Sequence, residues 1–358
     1  MTQAQSTIST NSQEVSTPME EVAVVILNYN GVDYLRDFLP SLVKYSEPYT
    51  VYVADNASTD ESVAYLQKNH PEVKLVLMDE NHGYAGGYNE ALQRIEARYF
   101  ILINSDVEVT PGWITPLLET MKSSPDIGAC QPKIRAYHHK DHFEYAGAAG
   151  GYIDRLGYPF CRGRLFDSLE KDEGQYDYDA DIFWATGACF IIRQEIFHQM
   201  GAFDPHFFAH MEEIDLCWRL QNNGLRVRYC HKSLVYHVGG GTLSSINPRK
   251  TYLNFRNGLL LLVKNLPIYK LCYKLPVRSL LDFVAAIKFI ADGNAPHALS
   301  VGKAHLHAAK PALQYILKNG FRWKPSNDQY ISNKLIVYEY FIRGKKKFSD
   351  IKFKWSDQ

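Results

Sequence analysis

The segment from Phe100 to Asp106 constrains the fold of this chain most strongly, because four apolar residues lead directly into Asn104, Ser105 and Asp106. An apolar run of this kind predicts a buried strand. Polar residues at the carboxyl end of a parallel strand lie in the crevice where α/β sheets bind ligands. A carboxylate there can hold a divalent cation against a diphosphate. The segment therefore predicts an α/β fold with a ligand site at Asp106.

Three more apolar runs, at residues 22–27, 51–54 and 75–78, also end in polar residues. The stretches between the runs show helical spacing of apolar residues and lie at residues 35–43, 63–67 and 88–99. Strands that alternate with helices in this way predict a doubly wound parallel sheet. Each strand end carries polar side chains suited to a nucleotide.

The pattern downstream of Asp106 is less regular. Helices are predicted at residues 111–122, 193–200 and 212–222, and strands at residues 127–134, 183–192, 226–229 and 234–237. Residues 135–180 show weak periodicity, which predicts an elaborated loop or hairpin region. Beyond Pro248 the spacing predicts basic helices to the end of the chain.

The composition argues against some classes of protein. The 358 residues carry 39 basic and 39 acidic side chains, and a net charge of zero argues against a general nucleic-acid-binding protein. The six cysteines form no Cys-x-x-Cys pair, which favours reduced thiols in a cytoplasmic protein over a disulfide framework or a zinc site. Residues 1–20 are rich in Ser, Thr and Gln and predict a disordered tail. No uncharged apolar run reaches the ~18 residues that span a bilayer.

Three acidic groups stand at the ends of predicted elements. They are Asp55, Asp106 and the cluster of Glu212, Glu213 and Asp215. Any one of them fits a helix cap or a solvated loop equally well. Together they match a site for a nucleotide diphosphate sugar, which requires polar strand ends for base and ribose, a carboxylate for a metal, and a base that deprotonates an acceptor hydroxyl.

Six motifs share the order and spacing of a known family. They are Val24 to Gly31, Asp55 to Asp60, Asn81-x-Gly83-Tyr84-Ala85-Gly86-Gly87-x-Asn89, Asn104-Ser105-Asp106, Thr186-Gly187-Ala188 and Glu212-Glu213-x-Asp215-Leu216-Cys217-x-Arg219. The chain resembles the family 2 glycosyltransferases with the GT-A fold, an α/β fold with a Rossmann-like mixed sheet. The resemblance is strongest to the bacterial rhamnosyltransferase-like branch that builds surface polysaccharides, and it covers roughly residues 21–265.

The resemblance implies roles for residues near the nucleotide. Asn28 and Asn30 would line the nucleotide pocket, and Asp55 would accept a hydrogen bond from a uracil or thymine ring. Glycines in the third motif would let the backbone approach the ligand closely. The residues that would shape this loop near the ribose and diphosphate are Asn81, Gly83, Gly86 and Asn89.

The resemblance also implies a divalent metal, Mn²⁺ or Mg²⁺. Asp106 matches the last acid of the family's Asp-x-Asp motif and would contact the metal. Asn104 stands where the first Asp of that motif is common, and an Asn can still hydrogen-bond a ribose. His237 precedes a Gly-rich loop at residues 239–242, as a third metal contact does in the family, although a lone His at a strand end is more often structural.

The catalytic base implied by the resemblance is Glu213, which matches the second acid of the family's Glu-Asp motif. Glu212 and Asp215 are the alternatives, since both share a helix face that Glu213 does not. The candidates for the acceptor pocket are Trp184, Thr186 and Gly187. Trp184 also fits a role in the hydrophobic core.

An inverting glycosyltransferase is the activity that follows from the resemblance. It would move a sugar, with rhamnose suggested by the branch, from a dTDP- or UDP-sugar to a hydroxyl of a glycan or polyprenyl-linked acceptor in bacterial surface polysaccharide synthesis. A sugar nucleotidyltransferase would need a Gly-rich loop with Arg or Lys after the first strand, and residues 27–31 lack it. A catalytically silent sugar-nucleotide-binding subunit of a polysaccharide assembly complex is the alternative, because Asn104 and Glu213 depart from the family pattern.

Three regions are predicted: a tail at residues 1–20, a GT-A domain at 21–265 and a basic helical region at 266–358. Around the last boundary, leucines alternate with basic residues, which are Lys264, Lys270, Lys274 and Arg278. The pattern is typical of amphipathic helices on an anionic membrane surface, here the inner face of the cell membrane. It fits equally well helices that pack on the catalytic domain or form a homodimer interface.

Overall fold

The computed structural model of the protein describes residues 19–239, 247–319 and 327–353. Its strands are, in chain order, β1 (Glu20–Asn28), β2 (Thr50–Asp55), β3 (Lys74–Leu77), β4 (Ala97–Asn104), β5 (Val107–Val109), β6 (Ile127–Ala136), β7 (Gly151–Asp154), β8 (Pro159–Cys161), β9 (Arg164–Leu165), β10 (Ser168–Leu169), β11 (Ala180–Ile182), β12 (Cys189–Arg193), β13 (Arg226–His237) and β14 (Ile331–Ser332). Its α-helices are α1 (Val32–Ser46), α2 (Ser62–Asn69), α3 (Gly83–Leu92), α4 (Ile114–Ser123), α5 (Gln194–Gln199), α6 (Glu212–Asn222), α7 (Pro248–Asn265), α8 (Ile268–Ala291) and α9 (Ala295–Asn319). The predicted tail up to residue 18 and the Gly-rich loop from residue 240 lie outside the described residues.

The first part of the chain forms the parallel half of a mixed sheet. β1 lies between β2 and β4 and runs parallel to both, with β3 beyond β2. Alternate residues of β1 enter two different cores, Val25 on one face of the sheet and Val24 and Ile26 on the other. Strands buried on both faces need continuous apolar runs. The doubly wound arrangement predicted for this half is confirmed.

The second part of the chain adds strands of both directions to the same sheet. The order across the sheet is β11-β13-β6-β12-β4-β1-β2-β3, and β5 pairs with the end of β13. β12 runs antiparallel to its neighbours β4 and β6, whereas β13 runs parallel to β6. The result is the mixed α/β sheet that the sequence predicts.

Several predicted elements have other bounds in the structure. The helix predicted at residues 88–99 begins at Gly83 and ends at Leu92, because Tyr99 already pairs with Val22 in the β4–β1 register. The strand predicted at 183–192 begins only at Cys189, where pairing with β4 begins. The two strands predicted at 226–237 are one strand, β13, which contains a register shift.

A smaller sheet forms within the region predicted as an elaborated loop. Its order is β10-β9-β8-β7-β14. β14 comes from the carboxyl-terminal part of the chain and pairs in parallel with β7, Ile331 opposite Ile153. The prediction of helices to the end of the chain is therefore wrong after α9, because this segment returns as a strand.

The helices predicted beyond Pro248 are α7, α8 and α9. α7 buries Leu259 to Leu262 in the core that also contains Val25 of β1. α9 packs along both α7 and α8. Within the described ranges, no helix has the length and apolar character needed to cross a membrane.

Asp154 joins the carboxyl-terminal segment to the small sheet. Its buried Oδ1 accepts hydrogen bonds from the N–H groups of Leu156 (2.8 Å) and Tyr158 (2.9 Å), and Oδ2 accepts one from the Ile336 N–H (3.0 Å). Burial raises the pKa of Asp154 in spite of these three donors. One carboxyl oxygen thus holds the turn after β7, and the other holds the segment that contains β14.

Replacing Asp154 by Asn should separate these two contacts. The amide keeps an accepting oxygen for the turn but opposes the Ile336 N–H with a second donor. Asp154→Asn should therefore lower the free energy of unfolding by about 1–3 kcal/mol, the cost of an unsatisfied buried group. It should also expose the carboxyl-terminal segment to protease, and Asp154→Ala should cost more.

Urea denaturation and limited proteolysis measure these two effects. The exposed Asp167→Ala is the matched control and should change neither quantity. If Asp154→Asn is cleaved no faster than the parent protein, the carboxylate does not hold the segment.

Candidate functional site

The candidate site begins at the carboxyl ends of β1 and β2. Asn28 Nδ2 donates to Asp55 Oδ2 over 3.0 Å, and the Ser58 N–H donates to Asp55 Oδ1 over 2.9 Å. Both strand-end side chains are buried, and Asn28 Oδ1 has no hydrogen-bond partner among the described residues. A Cβ on Gly31 would lie 2.6 Å from this oxygen, so the glycine leaves it room. An unpaired buried acceptor indicates a place for a donor that the polypeptide does not supply.

Asn30 shapes the neighbouring turn. Its Oδ1 accepts hydrogen bonds from the N–H groups of Thr59 (2.7 Å) and Asp60 (3.3 Å). Its own backbone is left-handed, with φ 51°. This oxygen thus holds the turn after β2, and the lining of the nucleotide pocket by Asn30 stays a prediction.

Asn56 fixes the loop before α3 and is not among the residues that the sequence predicts. Its Nδ2 donates to Asn81 Oδ1 and to Gly83 O, both over 3.0 Å, and its Oδ1 accepts from the His82 N–H over 3.0 Å. Asn81 Oδ1 also accepts from the Gly83 N–H over 2.8 Å. The oxygen of Asn81 therefore supports the loop. The available signal for Asn56 was its place directly after Asp55.

The glycines of the third motif make room for protein atoms. Gly83 has φ 69°, and a Cβ on it would lie 2.6 Å from the ring of Phe208. A Cβ on Gly86 would lie 2.9 Å from His82 Cβ. Gly83 thus leaves room for the ring of Phe208 and Gly86 for His82, and close approach of the backbone to a ligand at these glycines stays a prediction.

Asn89 docks α3 on the segment before α6. It exchanges two hydrogen bonds with the backbone of Phe203, over 2.8 Å and 3.0 Å. At the start of the same helix, the N–H groups of Tyr84 (2.9 Å) and Ala85 (3.2 Å) both donate to Phe208 O. The predicted contact of Asn89 with ribose or diphosphate is contradicted, because both polar atoms of its side chain are engaged inside the protein.

Asp106 and His237 meet because β5, directly after Asp106, pairs with the last residues of β13. Asp106 Oδ1 lies 3.2 Å from His237 Nε2, and Asn104 Nδ2 lies 3.5 Å from the same nitrogen. On the other side of the ring, Glu144 Oε1 lies 3.3 Å from Nδ1. The structure thus brings the three predicted residues together and adds Glu144, which the sequence does not predict.

The charges in this cluster stabilise one another. Burial would lower the pKa of His237, but the charge of Glu144 and the hydrogen bond to Asp106 raise it to about 10. Burial would raise the pKa of Asp106, but the charge and the hydrogen bond of His237 lower it. Within the described ranges, no group of three or more His, Cys, Asp and Glu side chains is arranged to hold a metal ion. Asp106 and His237 can supply two ligands, with Glu144 behind the imidazole.

The backbone before α6 is strained. Phe208, His210 and Met211 have φ values of 62°, 69° and 76°. Left-handed conformations cost about 1–3 kcal/mol for residues other than glycine, and they cluster at functional sites. The strain lies immediately before Glu212 and Glu213.

Glu212 and Glu213 both have raised pKa values. Burial and then the charge of Glu213 raise the pKa of Glu212 well above its ordinary value. Burial raises the pKa of Glu213 to about 7, although backbone amides, that of Gly187 among them, oppose this shift. Oε2 of each carboxyl has no partner among the residues that the structure describes. A carboxyl that titrates near neutral pH and keeps a free oxygen has the properties of a general base.

Asp215 lies in a different environment in the same turn of α6. Its Oδ2 accepts from Arg219 Nε and Lys264 Nζ, both over 2.8 Å, and its Oδ1 accepts from Asn265 Nδ2 over 2.9 Å. The side chain is completely buried. The alternative in which Asp215 is the catalytic base is contradicted, because two cations and an amide engage both oxygens.

Residues 186–188 connect the Asp106 cluster to α6. The Asn104 N–H donates to Ala188 O over 3.0 Å, and the Tyr84 hydroxyl donates to Gly187 O over 2.7 Å. The amide of Gly187 contacts the carboxyl of Glu213. Residues 186–188 are therefore bonded to the end of β4 at Asn104 and contact Glu213 of α6.

The predicted acceptor residues differ in their surroundings. The indole N–H of Trp184 donates to Tyr152 O over 2.9 Å, and the Thr186 hydroxyl accepts from the Ala188 N–H over 3.1 Å. Trp184 and Thr186 are both buried. Trp184 has the core role that the sequence also allows, and contact of Trp184 or Thr186 with an acceptor stays a prediction. Gly187 is partly exposed and stays a candidate.

Asn257 of α7 holds the strained stretch in place. Its Nδ2 donates to the carbonyl oxygens of Phe207 (2.9 Å), Ala209 (2.9 Å) and His210 (2.7 Å). The side chain is completely buried. These long-range bonds give no local signal in the sequence, so Asn257 is a positioning residue that sequence patterns miss.

The mixed sheet, with acids at the ends of its parallel strands, defines a GT-A-type transferase. A family described as "Glycosyl transferase family 2" matches residues 23–201, half of the chain. The chain belongs to this family and is a glycosyltransferase, as the resemblance of its motifs predicts. The matched range includes Asp55 and Asp106 and ends before Glu212.

Two relatives illustrate the relationship. The chain is 30% identical to N-acetylglucosaminyl-diphospho-decaprenol L-rhamnosyltransferase of Mycobacterium tuberculosis over 233 residues. The aligned region covers 60% of this chain and 75% of the relative. It is 23% identical over 257 residues to the low-salt glycan biosynthesis hexosyltransferase Agl10 of Haloferax volcanii, covering 68% and 76%. The first similarity confirms the resemblance to the rhamnosyltransferase-like branch.

Two solved structures share the fold. S. aureus TarS 1-349 has a TM-score of 0.53 at 16% identity and covers 90% of this chain and 87% of its own. GalNAc-T7, solved with UDP, GalNAc and Mn2+, has a TM-score of 0.53 at 16% identity over 69% of this chain, which spans 48% of that one. These similarities confirm the predicted GT-A fold.

Substitution of Asn257 should reduce transfer by displacing the stretch before Glu213. Asn257→Ala removes the donor, and Asn257→Asp places a carboxylate against three carbonyl oxygens. We expect kcat to fall by about 10-fold for Ala and about 10²-fold for Asp, with a smaller change in donor KM, because misplaced catalytic groups act mainly on kcat.

Steady-state kinetics with Asn254→Asp as the control on the same helix measure the effect. Asn254 is partly exposed, so its variant should behave as the parent does. Parent-like kcat in Asn257→Asp would remove the positioning role.

Proposed function

We propose that this protein is an inverting glycosyltransferase that moves a sugar from a nucleotide diphosphate sugar to a hydroxyl of a glycan or lipid-linked acceptor. The supporting observation is that residues 186–188 link two acidic groups, that of Asp106 with His237 and that of Glu212 with Glu213. Ala188 O bonds the Asn104 N–H, two residues before Asp106, and the Gly187 amide contacts Glu213. The first group suits a diphosphate with a metal, and the second suits an acceptor hydroxyl.

Asp106 and His237 would hold the divalent cation, Mn²⁺ or Mg²⁺. A carboxylate oxygen and an imidazole nitrogen 3.2 Å apart form a donor pair that would fit such ions when the cation replaces the proton that His237 holds against Asp106. Glu144 would orient the imidazole from its other nitrogen, as carboxylates do behind metal-bound histidines. When bound, the cation neutralises charge that develops on the leaving diphosphate. Since the described residues place no third His, Cys, Asp or Glu side chain in a metal-binding group with this pair, diphosphate oxygens and water would supply further ligands.

Glu213 would remove the proton from the acceptor hydroxyl. Its pKa of about 7 leaves a large ionised fraction at neutral pH and makes the carboxylate a stronger base than an ordinary Glu. Glu212 is almost fully buried, and burial together with the charge of Glu213 raises its pKa as well. The deprotonated hydroxyl then attacks the anomeric carbon, and no covalent enzyme intermediate is needed.

Asn28 and Asp55 would bind the base of the nucleotide. Each oxygen of Asp55 accepts one hydrogen bond from the protein and retains a lone pair for a ring N–H. The buried, unpaired Asn28 Oδ1 offers a second acceptor. Asn104 at the end of β4 would contact the ribose.

The relatives suggest the sugar and the acceptor. The Mycobacterium tuberculosis relative is named an L-rhamnosyltransferase for N-acetylglucosaminyl-diphospho-decaprenol, and the Haloferax volcanii relative is named for glycan biosynthesis. We infer a dTDP- or UDP-sugar donor, with rhamnose as the first sugar to test. The acceptor would be a polyprenyl-linked glycan used in surface polysaccharide synthesis at the cytoplasmic face of the membrane.

A uridine or thymidine diphosphate with Mn²⁺ should stabilise the fold. Ligand at about 100 times its dissociation constant adds ~2.7 kcal/mol to the free energy of unfolding. Asp106→Asn should remove the part that requires the metal, because it removes the charged ligand and keeps the side-chain shape. Thermal denaturation with each nucleotide, with and without Mn²⁺, measures this difference.

Glu108→Gln is the control for this experiment. Glu108 lies on β5, two residues after Asp106, and its charge pairs with Lys140. The variant should keep the full effect of the metal. Equal stabilisation of parent and Asp106→Asn by the metal would exclude Asp106 as a ligand.

Glu213→Gln should abolish transfer but leave nucleotide affinity intact. Loss of a general base costs ~10² to 10⁴ in rate, and the base contacts the acceptor, not the nucleotide. In the parent protein, kcat/KM should rise with pH and level off above about pH 7, because the pKa of about 7 means that Glu213 is protonated below this value.

Glu212→Gln and Asp215→Asn are the matched comparisons. We expect Glu212→Gln to retain more activity than Glu213→Gln, and Asp215→Asn to lose stability. If Glu213→Gln transfers sugar at the parent rate while Glu212→Gln is folded and inactive, Glu212 is the base. A parent protein that binds nucleotide without any transfer would support the silent-subunit alternative.

A further inference from the structure

The outward side of α8 is an apolar stripe. Its members recur every three or four residues, so they lie on one side of a helix of 24 residues. The exposed apolar residues of α8 are Tyr269, Tyr273, Val277, Leu280, Phe283, Val284, Ile287 and Ile290, with exposed fractions from 45% to 66%. A contiguous apolar surface of this kind marks an interaction site.

α9 continues the stripe. Its exposed leucines are Leu299, Leu306, Leu313 and Leu317, with exposed fractions from 56% to 75%. The two helices pack against each other, and the ring of Phe283 stacks on His305, next to Leu306, at a centroid distance of 5.7 Å. We call the exposed apolar residues of both helices the hairpin face.

The inward side of α8 is polar. Lys274, Arg278 and Asp282 follow one another at intervals of four residues and are all buried. Arg278 Nε donates to Asp282 Oδ1 over 2.9 Å, and its guanidinium lies 3.7 Å from the ring centre of Tyr158. A surface helix in water normally buries its apolar side and exposes its charges. In α8 this polarity is inverted, so the medium that covers the hairpin face is apolar.

The charges beside the hairpin face are basic. α9 contains no Asp or Glu, and the one acid of α8, Asp282, is buried. The exposed charged residues of the two helices are Lys288, Lys303, Lys310 and Lys318. Lys288 pairs with the exposed Asp292 directly after α8. Anionic lipid head groups attract lysines, whereas a two-fold dimer through this face would set Lys303, Lys310 and Lys318 against lysines of the second copy, and α9 contains no acid to offset them.

We propose that the hairpin face docks the protein on an anionic bilayer, with α8 and α9 lying in the plane of the surface and their apolar residues among the acyl chains. Amphipathic helices bind in this way without crossing the membrane. This interaction deepens the proposed function, because a polyprenyl-linked acceptor would be held in the same membrane.

The proposal corrects the residues expected from the sequence. The basic residues predicted to contact lipid point into the protein: Lys264 bonds Asp204 and Asp215, Lys270 bonds Asp328, and Lys274 and Arg278 are buried. The lipid contacts are instead the apolar residues that alternate with them.

The test is co-sedimentation of the full chain with vesicles of phosphatidylcholine, with and without phosphatidylglycerol. The parent should bind the anionic vesicles and bind less at high salt. Leu280→Glu with Ile287→Glu should weaken binding by about tenfold or more, since each places a charge among acyl chains. Lys303→Glu with Lys310→Glu should remove the preference for phosphatidylglycerol.

Two controls keep the result clear. Leu169→Glu places the same charge at an exposed apolar residue of the small sheet and should bind vesicles as the parent does. Each variant should retain the parent's stabilisation by nucleotide with Mn²⁺, which reports the candidate site separately. Leu306→Glu with Leu313→Glu repeats the test on α9 in case the α8 variant does not fold.

Three results would overturn the proposal. The first is a parent protein that binds neither kind of vesicle, and the second is parent-like binding by both sets of Glu variants. The third is a dimer, detected by analytical ultracentrifugation, that these variants dissociate while vesicle binding is absent. Vesicle binding without any response to nucleotides would instead support the hairpin face and contradict the proposed function.

Discussion

The buried carboxylate of Asp215 is the interaction on which the arrangement of the site depends. It bonds Lys264 of α7 as well as a cation of its own helix, and Lys264 also bonds Asp204 over 2.7 Å. Asp204 in turn accepts from the hydroxyl of Tyr315 in α9 over 2.7 Å. Removing one partner from a buried ion pair costs ~3–5 kcal/mol, because it leaves a charge uncompensated. The network therefore holds α6, α7 and α9 together, and the position of Glu213 follows from it.

The first turn of α6 carries Glu212, Glu213 and Asp215, and these acids differ in whether a cation pairs with them. Asp215 is neutralised by cations, whereas no cation pairs with Glu212 or Glu213 among the described residues. A helix amino terminus favours negative charge, but burial outweighs this effect and raises the pKa of Glu213 to about 7. The same helix end thus supplies an anchor and a carboxyl whose pKa is raised. Spacing alone cannot distinguish them, since cations that neutralise an acid come from other helices.

Strand ends were predictable from the sequence because β1, β2 and β4 are buried on both faces and stop at polar residues. The start of α3 was not, because glycines are poor helix formers and its first N–H groups find their acceptor on Phe208, far along the chain. Glu144 and Asn257 were missed for the same reason: each meets its partners only in the folded protein. Local patterns also gave no sign that Asn89 bonds the backbone of Phe203. Candidate site residues at strand ends can therefore be predicted from the sequence, whereas the residues that support them cannot.

Helical spacing shows that a helix has two sides but not which side faces inward. The lysines and arginine of α8 are typical of an outward basic face, yet Arg278 pairs with Asp282 inside the protein. Once Asp282 neutralises that charge, the apolar side is the one left outward. The hairpin is joined to the site through Tyr315 and the turn at Asp204. A bilayer that holds the hairpin face would consequently fix the distance between its surface and Glu213, and a lipid-linked hydroxyl would reach the base only at that depth.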